Sequence, residues 1–342
     1  MAEMTSMTCP QCRKIAVAPN WHAGTTYRCP NCGATMVPSK KAPSESPQLP
    51  DAPPPDVVEA MGKAANRVGR YVLVSVLGSG AMGQLWRGWD TSLKRWVAVK
   101  VMNFQDVCAE DLARFRREAK MAAALDHPHL APIYDFGETN GKHYLVMKLI
   151  EGRTVEEVFR PRAGVKTDAA AAVDVVRRAA RGLAHMHARG IVHRDVKPGN
   201  MMQDPEGHVY LTDFGLAKPA EGQGLTGGGM VFMGTPAFMA PEAARGQAKD
   251  VDARSDVYSL GASLFMILTG RALFPAPNGM ESLRRAQSEV APRVRTVRPD
   301  VSAGVDEVIA RATAREKAQR YADAREFADA LDEAAGARRP GN

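Results

Sequence analysis

The feature that most constrains this chain is a polar motif, HRDVKPGN at residues 193–200, followed by DFG at residues 213–215. In this pattern, Asp195 can orient a hydroxyl group and accept its proton, while Lys197 can neutralise charge on a phosphoryl group in transit. Asn200 and Asp213 can hold Mg²⁺ against the phosphates of a nucleotide. The spacing therefore predicts a site for phosphoryl transfer.

A glycine-rich segment lies upstream, between two predicted strands at residues 71–77 and 85–88. Its residues are Gly78, Ser79, Gly80, Ala81, Met82 and Gly83. Glycine lets the backbone approach phosphates closely with its N–H groups directed at the anion, although the same pattern is typical of a plain hairpin turn. Because the segment opens an antiparallel hairpin and does not precede a helix, it disfavours a Rossmann site and favours a lid over a nucleotide.

Together, these motifs resemble the catalytic core of the eukaryotic-type (Hanks-type) serine/threonine protein kinases of bacteria, over residues 71 to about 332. Val-Ala-Val-Lys at residues 97–100 reads as a strand that ends in a cation, which on its own is more often a lysine with its head in water. The resemblance implies that Lys100 binds the α- and β-phosphates and forms a salt bridge with Glu118, on a predicted helix at about residues 109–125. Read alone, Glu118 would be one charge on a solvated helix face.

The resemblance also implies an adenine site between the two halves of the domain. The hinge would be residues 148–150, and Lys148 departs from the acidic residue that is common there. Because a hinge contacts adenine through its backbone, this departure affects the ribose side of the site and leaves ATP binding intact. The implied contacts are Leu77, Leu85, Ala98, Met147 as gatekeeper, Lys148, Ile150 and Met202.

The substrate class follows from smaller motifs that match the same family. Lys197, two residues after Asp195, is the arrangement of serine/threonine kinases, and GTP at residues 234–236 followed by APE at 240–242 resembles a loop that docks a protein substrate. Thr235 and Pro236 are the implied substrate-loop residues, with Thr235 bonded to Asp195 or Lys197. Two further implied roles are structural: Glu242 would pair with Arg320, and Asp256 would hold the backbone of the catalytic loop.

The sequence around the catalytic loop and after DFG indicates how the enzyme could be regulated. Arg194 is typical of kinases whose activation segment is ordered when a phosphate binds a basic pocket. The hydroxyl side chains between residues 215 and 240 are Thr226 and Thr235. Since Thr235 has an implied structural role, Thr226 is the predicted phosphosite. The alternative is that Thr226 is incidental, in a segment (residues 222–229) too glycine-rich to hold a phosphate.

Two Cys-Pro-x-Cys knuckles near the N-terminus predict a structural Zn²⁺ site in a module that resembles a zinc ribbon. Four thiolates can surround Zn²⁺ tetrahedrally, and a glycine after the second pair permits a tight turn. The alternatives are two disulfides or four unrelated thiols, but no secretory signal precedes the cysteines and ATP use implies a reducing compartment. The predicted ligands are Cys9, Cys12, Cys29 and Cys32.

The partner of this module is less constrained than its metal. Residues 1–66 hold six basic and five acidic residues, a net charge of +1, which is too little to favour nucleic acid as the partner. We expect a protein-docking, self-association or purely capping role. Residues 37–55 are rich in proline and poor in large apolar residues, which is typical of an extended tether, and we expect a short helix at residues 57–70 that leads into the first strand.

The whole chain has a formal net charge of +7 over 342 residues, an excess too modest to define a partner. The longest apolar candidate, residues 262–268, fits a buried helix and not a membrane span, so we expect a cytoplasmic enzyme. Autophosphorylation between two molecules would require a transient dimer. Mg²⁺ is the expected metal of the reaction, with Mn²⁺ as a substitute.

The architecture predicted from these observations is α+β and two-lobed. A zinc-ribbon-like module at residues 1–37 and a proline-rich linker at 38–66 would precede a kinase domain at 67–335 and a tail at 336–342. The domain would have a small antiparallel lobe with one helix (about 71–146) and a mainly helical lobe (about 151–332). Apolar spacing predicts helices at residues 169–186, 257–268 and 305–312. The rival functions are a pseudokinase or docking scaffold without turnover, and nucleic-acid binding through the ribbon.

Overall fold

The computed structural model describes residues 4–8, 15–19, 27–28, 35–36, 52–80, 83–102, 109–161, 164–213, 235–245 and 250–336. The chain divides into two compact units, Met1–Ala52 and Pro53–Asn342. In the first unit, β1 (Met4–Thr8) pairs antiparallel with β2 (Ile15–Pro19), and β3 (Tyr27–Arg28) pairs with β4 (Thr35–Met36). The four cysteines predicted to bind zinc, Cys9, Cys12, Cys29 and Cys32, lie outside the described residues.

The second unit begins with helix α1 (Pro55–Met61), although the sequence places these residues in the predicted linker. Val57 and Ala60 of α1 are buried against Val72 and Trp89 of the sheet that follows. Burial of these apolar side chains removes them from water, which explains why α1 is part of this unit and not of the tether.

The small lobe is an antiparallel six-stranded sheet in the order β5-β6-β7-β8-β10-β9, with one helix, α2. β-Branched residues alternate along its central strand, and the side chains of Val97 and Val99 are fully buried on one face. Lys100 points to the opposite face from Val99, as the alternation of a strand requires. The elements are β5 (Arg67–Val68), β6 (Tyr71–Gly80), β7 (Gly83–Asp90), β8 (Arg95–Met102), α2 (Ala109–Ala123), β9 (Ile133–Thr139) and β10 (Lys142–Lys148).

The large lobe is mainly helical, with a three-stranded sheet, β11-β12-β13, beside the catalytic motif. Its centre is α6, whose apolar residues are buried almost all round, and which ends at Gly270 in a left-handed conformation (φ 74°). The elements are β11 (Arg153–Thr154), α3 (Val155–Val158), α4 (Ala169–His187), β12 (Met201–Gln203), β13 (Val209–Leu211), α5 (Pro241–Ala244), α6 (Ala253–Thr269), α7 (Gly279–Ser288), α8 (Ala303–Ala312) and α9 (Ala324–Ala334).

The helices predicted from apolar spacing are present, with ends shifted by a few residues. The prediction at 257–268 is α6, which begins four residues earlier because Asp252 caps it and accepts a hydrogen bond from the Arg254 N–H at 2.9 Å. Within the described residues, no helix combines the length and the apolar composition that a membrane crossing requires.

Candidate active site

The catalytic loop follows α4 and is held from below by one carboxylate on α6. Asp256 accepts hydrogen bonds from the backbone N–H groups of His193 at 2.8 Å and Arg194 at 2.9 Å. Arg194 has a φ of +64°, which is costly for a residue with a side chain, so these bonds hold a backbone conformation that the loop would otherwise leave. Asp256 is the loop-holding residue that the family resemblance implied.

The charge of Asp256 is itself stabilised in the interior. Burial acts to raise its pKa, but the hydrogen bond from His187, at 2.9 Å, and the nearby His193 outweigh burial and lower it. An ionised Asp256 is the stronger acceptor for backbone N–H groups. The charge of Asp256 therefore fixes the loop, as the sequence led us to expect. The partner of Asp256, His187, was not predicted from the sequence.

The catalytic loop brings together the three polar residues predicted from its sequence. Asn200 donates from Nδ2 to the backbone oxygen and to Oδ2 of Asp195, both at 2.8 Å. The ammonium of Lys197 lies 3.2 Å from Oδ2 of Asp195 and donates to the hydroxyl of Thr235 at 3.0 Å. Thr235 thus contacts Lys197, which is one of the two partners implied by the resemblance, and it ties the substrate loop to the catalytic loop.

Lys100 reaches the site from the small lobe. On β8, it lies directly opposite Leu85 of β7, and two residues earlier Ala98 lies opposite Met147 of β10. Residues that face each other in an antiparallel pair share a face, so all four side chains line one side of the sheet. This places the predicted upper wall of the adenine site next to Lys100.

The ion pairs of Lys100 and Glu118 correct one expectation. Lys100 Nζ lies 2.7 Å from Oδ1 of Asp213, and Glu118 Oε1 lies 3.8 Å from a guanidinium nitrogen of Arg194. The expected salt bridge between Lys100 and Glu118 is not formed in the described part of the chain. The physical reason is competition, because each of the two charges has a nearer partner of opposite sign.

Two side chains offer oxygen atoms suited to Mg²⁺. Both N–H groups of the Asn200 amide are used on Asp195, which leaves the Asn200 carbonyl oxygen for another partner. Asp213 is partly exposed, and its φ of +55° turns it out of the regular strand path after β13. A carboxylate and an amide oxygen are hard ligands of the kind that Mg²⁺ prefers, so these residues fit the predicted metal.

The glycine-rich segment joins β6 to β7; Gly78, Ser79 and Gly80 are exposed, as is Leu77 before them. Gly83 has a φ of +132°, and a Cβ there would lie 2.1 Å from the backbone oxygen of Val101. Only glycine fits at that point, which explains the last glycine of the motif.

The hinge follows β10. Met147 and Ile150 are buried, and Met202 on β12 is partly buried in the large lobe. The side chain of Lys148 donates to the hydroxyl of Tyr210 on β13 at 3.0 Å. Tyr210 cannot be predicted as a hinge partner from the sequence, because nothing in its local pattern links it to a hinge 62 residues away.

The substrate loop is anchored by a buried ion pair. Arg320 makes two hydrogen bonds to the carboxylate of Glu242, at 2.7 and 2.9 Å, and Ser255 donates to the same carboxylate at 2.7 Å. This is the pair that the resemblance implied. Other predicted residues lie outside the described part of the chain: Ala81, Met82, Phe214, Gly215 and Thr226.

The chain is similar to known proteins. The family model for the protein kinase domain matches residues 71–333. The chain is 38% identical over 278 residues to the serine/threonine-protein kinase PknA of Mycobacterium tuberculosis (strain H37Rv), covering 80% of this chain and 63% of PknA. It is 34% identical over 261 residues to the serine/threonine-protein kinase PrkC of Bacillus subtilis (strain 168), covering 76% of this chain and 39% of PrkC.

A solved structure matches the fold as well. The kinase domain of M. tuberculosis PknI aligns with a TM-score of 0.63 at 29% identity, covering 80% of this chain and 99% of that domain. The chain thus spans less than two thirds of PknA and PrkC, and nearly the whole of the PknI kinase domain.

Proposed function

The chain belongs to the protein kinase family, and from this membership we propose that it transfers the γ-phosphoryl group of ATP to serine and threonine hydroxyls of proteins. The observation that carries the proposal is the position of Asp195, bonded to Asn200 at 2.8 Å and beside Lys197 at 3.2 Å on a loop fixed by Asp256. The printed names of PknA and PrkC, and the lysine two residues after Asp195, support serine and threonine as acceptors.

The reaction assigns one task to each side chain. The hydroxyl oxygen of the substrate attacks the γ-phosphorus, the bond from that phosphorus to the bridging oxygen breaks, and ADP leaves with the bond's electron pair. Asp195 orients the hydroxyl and takes its proton. Lys197 lies close enough to Asp195 to offset negative charge on the phosphoryl group during transfer.

The nucleotide phosphates would be held by residues from both lobes. Lys100 supplies a cation from β8 and contacts Asp213, so the cation for the phosphates lies beside the carboxylate proposed for Mg²⁺. Asn200 and Asp213 would hold Mg²⁺, which supplies charge neutralisation to the phosphates when bound. Catalysis in this scheme comes from positioning and electrostatics.

Phosphoamino-acid analysis tests the acceptor class. The purified chain is incubated with Mg-ATP labelled at the γ-phosphate and a generic protein that offers serine, threonine and tyrosine. We expect phosphoserine and phosphothreonine, because the loop carries lysine at position 197. Label confined to phosphotyrosine would contradict the serine/threonine assignment, and no label in any protein would contradict the kinase proposal.

The finer division of the chain is also part of our proposal. It consists of a four-cysteine zinc module at residues 1–37, a linker at 38–66 whose last part includes helix α1 of the second unit, the kinase domain at 67–335 and a tail at 336–342. The support is the spacing of Cys9, Cys12, Cys29 and Cys32 in two knuckles. Metal analysis of the purified chain should give one zinc per molecule, and Cys29→Ser should release it. A zinc-free wild-type chain would contradict the module.

We further propose that the kinase phosphorylates itself on Thr226 and acts in the cytoplasm, where ATP is available. Two observations support this proposal. Thr226 and Thr235 are the residues with hydroxyl side chains between residues 215 and 240, and the basic Arg194 lies beside Asp195. Phosphosite mapping after incubation with Mg-ATP should find Thr226. Phosphate only on other residues would keep the kinase and remove this phosphosite. A protein partner for the zinc module, and a transient dimer for transfer between molecules, belong to the same proposal.

A further inference from the structure

The hinge is connected to the large lobe by a contact between side chains that are not part of the kinase motifs. Lys148, at the end of β10, donates from Nζ to the hydroxyl of Tyr210 at 3.0 Å. The same ammonium lies 4.5 Å from the centre of the Tyr210 ring, within the range of a cation–π contact. The hydroxyl of Tyr210 is also one of the groups that lower the pKa of the Asp204 carboxyl.

Asp204 lies between β12 and β13 and is held in place by His208. Its Oδ1 accepts from the backbone N–H of His208 at 2.7 Å, and its Oδ2 lies 3.0 Å from Nδ1 of the same residue. Burial acts to raise the pKa of Asp204, but its hydrogen bonds with His208 and Tyr210 outweigh burial and lower it. The hydrogen bond to Tyr210 is also the main reason why the pKa of Lys148 is raised. The contact between Lys148 and Tyr210 therefore joins the hinge to the β12–β13 pair of the large lobe.

The position of Tyr210 links its contact with Lys148 to the expected nucleotide site. Tyr210 lies directly opposite Met202 in the β12–β13 pair, and Asp213 follows three residues later. Met202 is the expected floor of the adenine site, and the backbone of residues 148–150 is its expected edge. Lys148 and Tyr210 thus tie the edge of the site to its floor.

We propose that Tyr210 is a positioning residue for the nucleotide, holding the hinge to the large lobe through Lys148 so that the adenine site is formed before ATP enters. This inference rests on the proposed function. A site that is formed in advance costs less ordering on binding, so the bridge should act on nucleotide affinity and leave the chemical step alone.

Calorimetric titration with Mg-ADP tests the bridge without turnover. Tyr210→Phe and Lys148→Met should each weaken binding by about three- to tenfold, the range expected for losing one charge-assisted hydrogen bond in part. The double variant should be no weaker than Lys148→Met, because loss of the ammonium already removes both its hydrogen bond to the Tyr210 hydroxyl and its contact with the Tyr210 ring. The KM for ATP should rise by the same factor, and kcat should change by less than about twofold.

Matched variants separate a bridge from general damage. Lys142→Met, at the other end of β10, and Tyr321→Phe, which removes a tyrosine hydroxyl in the segment before α9 and keeps the ring contact with Arg311, should keep wild-type affinity. Lys148→Arg should restore most of it, because it keeps a cation in reach of Tyr210. If Tyr210→Phe folds poorly, Lys148→Met and its arginine counterpart still decide the matter.

The outcomes distinguish the bridge from the enzyme. A wild-type chain that binds Mg-ADP with an affinity shared by all variants would overturn the bridge alone. Independent, additive losses in Tyr210→Phe and Lys148→Met would overturn it as well. A wild-type chain that binds no nucleotide would overturn the proposed function, and the bridge with it.

Discussion

Lys100 and Asp213 are joined by a hydrogen bond of 2.7 Å between Nζ and Oδ1. The lysine lies on β8 of the small lobe, and the aspartate follows β13 of the large lobe. This contact brings a cation of the small lobe together with the carboxylate that we propose as a Mg²⁺ ligand. Glu118 meanwhile lies 3.8 Å from Arg194, the neighbour of the proposed catalytic base.

Replacing Lys100 tests its role at the phosphates. Lys100→Met should lower the rate of phosphate transfer by about a hundredfold or more, because it removes a partly buried cation that would stabilise the negative charge of the nucleotide phosphates. The measurement is the initial rate with Mg-ATP and a protein substrate. Lys142→Met removes an exposed lysine of the neighbouring strand and should leave the rate unchanged. Equal rates in the two variants would exclude Lys100 from catalysis.

Asp256 should matter for the chemical step, because it holds the catalytic loop. Asp256→Asn keeps an acceptor oxygen but removes the charge that binds the N–H groups of His193 and Arg194. We expect kcat to fall by about tenfold, which corresponds to losing roughly 1.4 kcal/mol of positioning, with the KM for ATP nearly unchanged. Steady-state kinetics beside Asp300→Asn, an exposed carboxylate, makes the comparison. A rise in KM at constant kcat would contradict this role.

The pair of Glu242 and Arg320 should contribute strongly to stability. The Arg320 side chain is fully buried and that of Glu242 is 7% exposed, so Glu242→Gln leaves a buried cation without its counter-charge. The free energy of unfolding should fall by about 3 kcal/mol, measured by denaturant titration. Glu281→Gln breaks an exposed pair with Arg284 and should have no measurable effect. Equal effects would contradict the assignment.

The same pair predicts a pH dependence. Burial acts to raise the pKa of Glu242, but the hydrogen bonds and charge of Arg320 outweigh it and lower the pKa below the ordinary 4.5. A carboxyl group with a lowered folded-state pKa stabilises fully above its unfolded pKa, and this stabilisation is lost as the pH falls through the folded value. The stability difference between wild type and Glu242→Gln should therefore be constant above pH 4.5 and shrink below it. A difference that grows on acidification would contradict the lowered pKa.

Helix α1 should stabilise the small lobe. Val57 is fully buried, and its neighbour Val58 is 55% exposed, so the two valines form a matched pair. Val57→Ala should lower the free energy of unfolding by about 1–3 kcal/mol, and Val58→Ala should lower it by less than about 0.5 kcal/mol. Thermal or denaturant unfolding of both variants is the measurement. A null effect of Val57→Ala would mean that α1 does not pack on the sheet in solution.

The sequence predicts the lobes and the catalytic loop well, because both depend on local signals. Asp195, Lys197 and Asn200 lie within six residues, so their meeting follows from the loop itself. The helices follow from apolar spacing, and Asp252 and Gly270 mark the ends of α6.

Pairings between distant charges are harder to predict from sequence. Lys100 can meet either Asp213 or Glu118, and the spacing of these residues in the sequence does not indicate which carboxylate is its partner. Lys148 carries no sign that its partner is Tyr210, since the two meet only after the hinge and the β12–β13 pair are in place. A short helix is expected near the position of α1, but its packing against Val72 and Trp89 depends on residues distant in sequence that no local pattern indicates.

The most direct test of the central claim compares the wild-type chain with Asp195→Asn. Both are incubated with labelled Mg-ATP and a protein substrate, and Mg-ADP binding is measured in parallel, with Asp126→Asn as the exposed control. The account predicts that Asp195→Asn lowers transfer by about a thousandfold while binding stays at the wild-type level. Transfer retained in Asp195→Asn would contradict the assignment of the catalytic base, and with it the proposed mechanism.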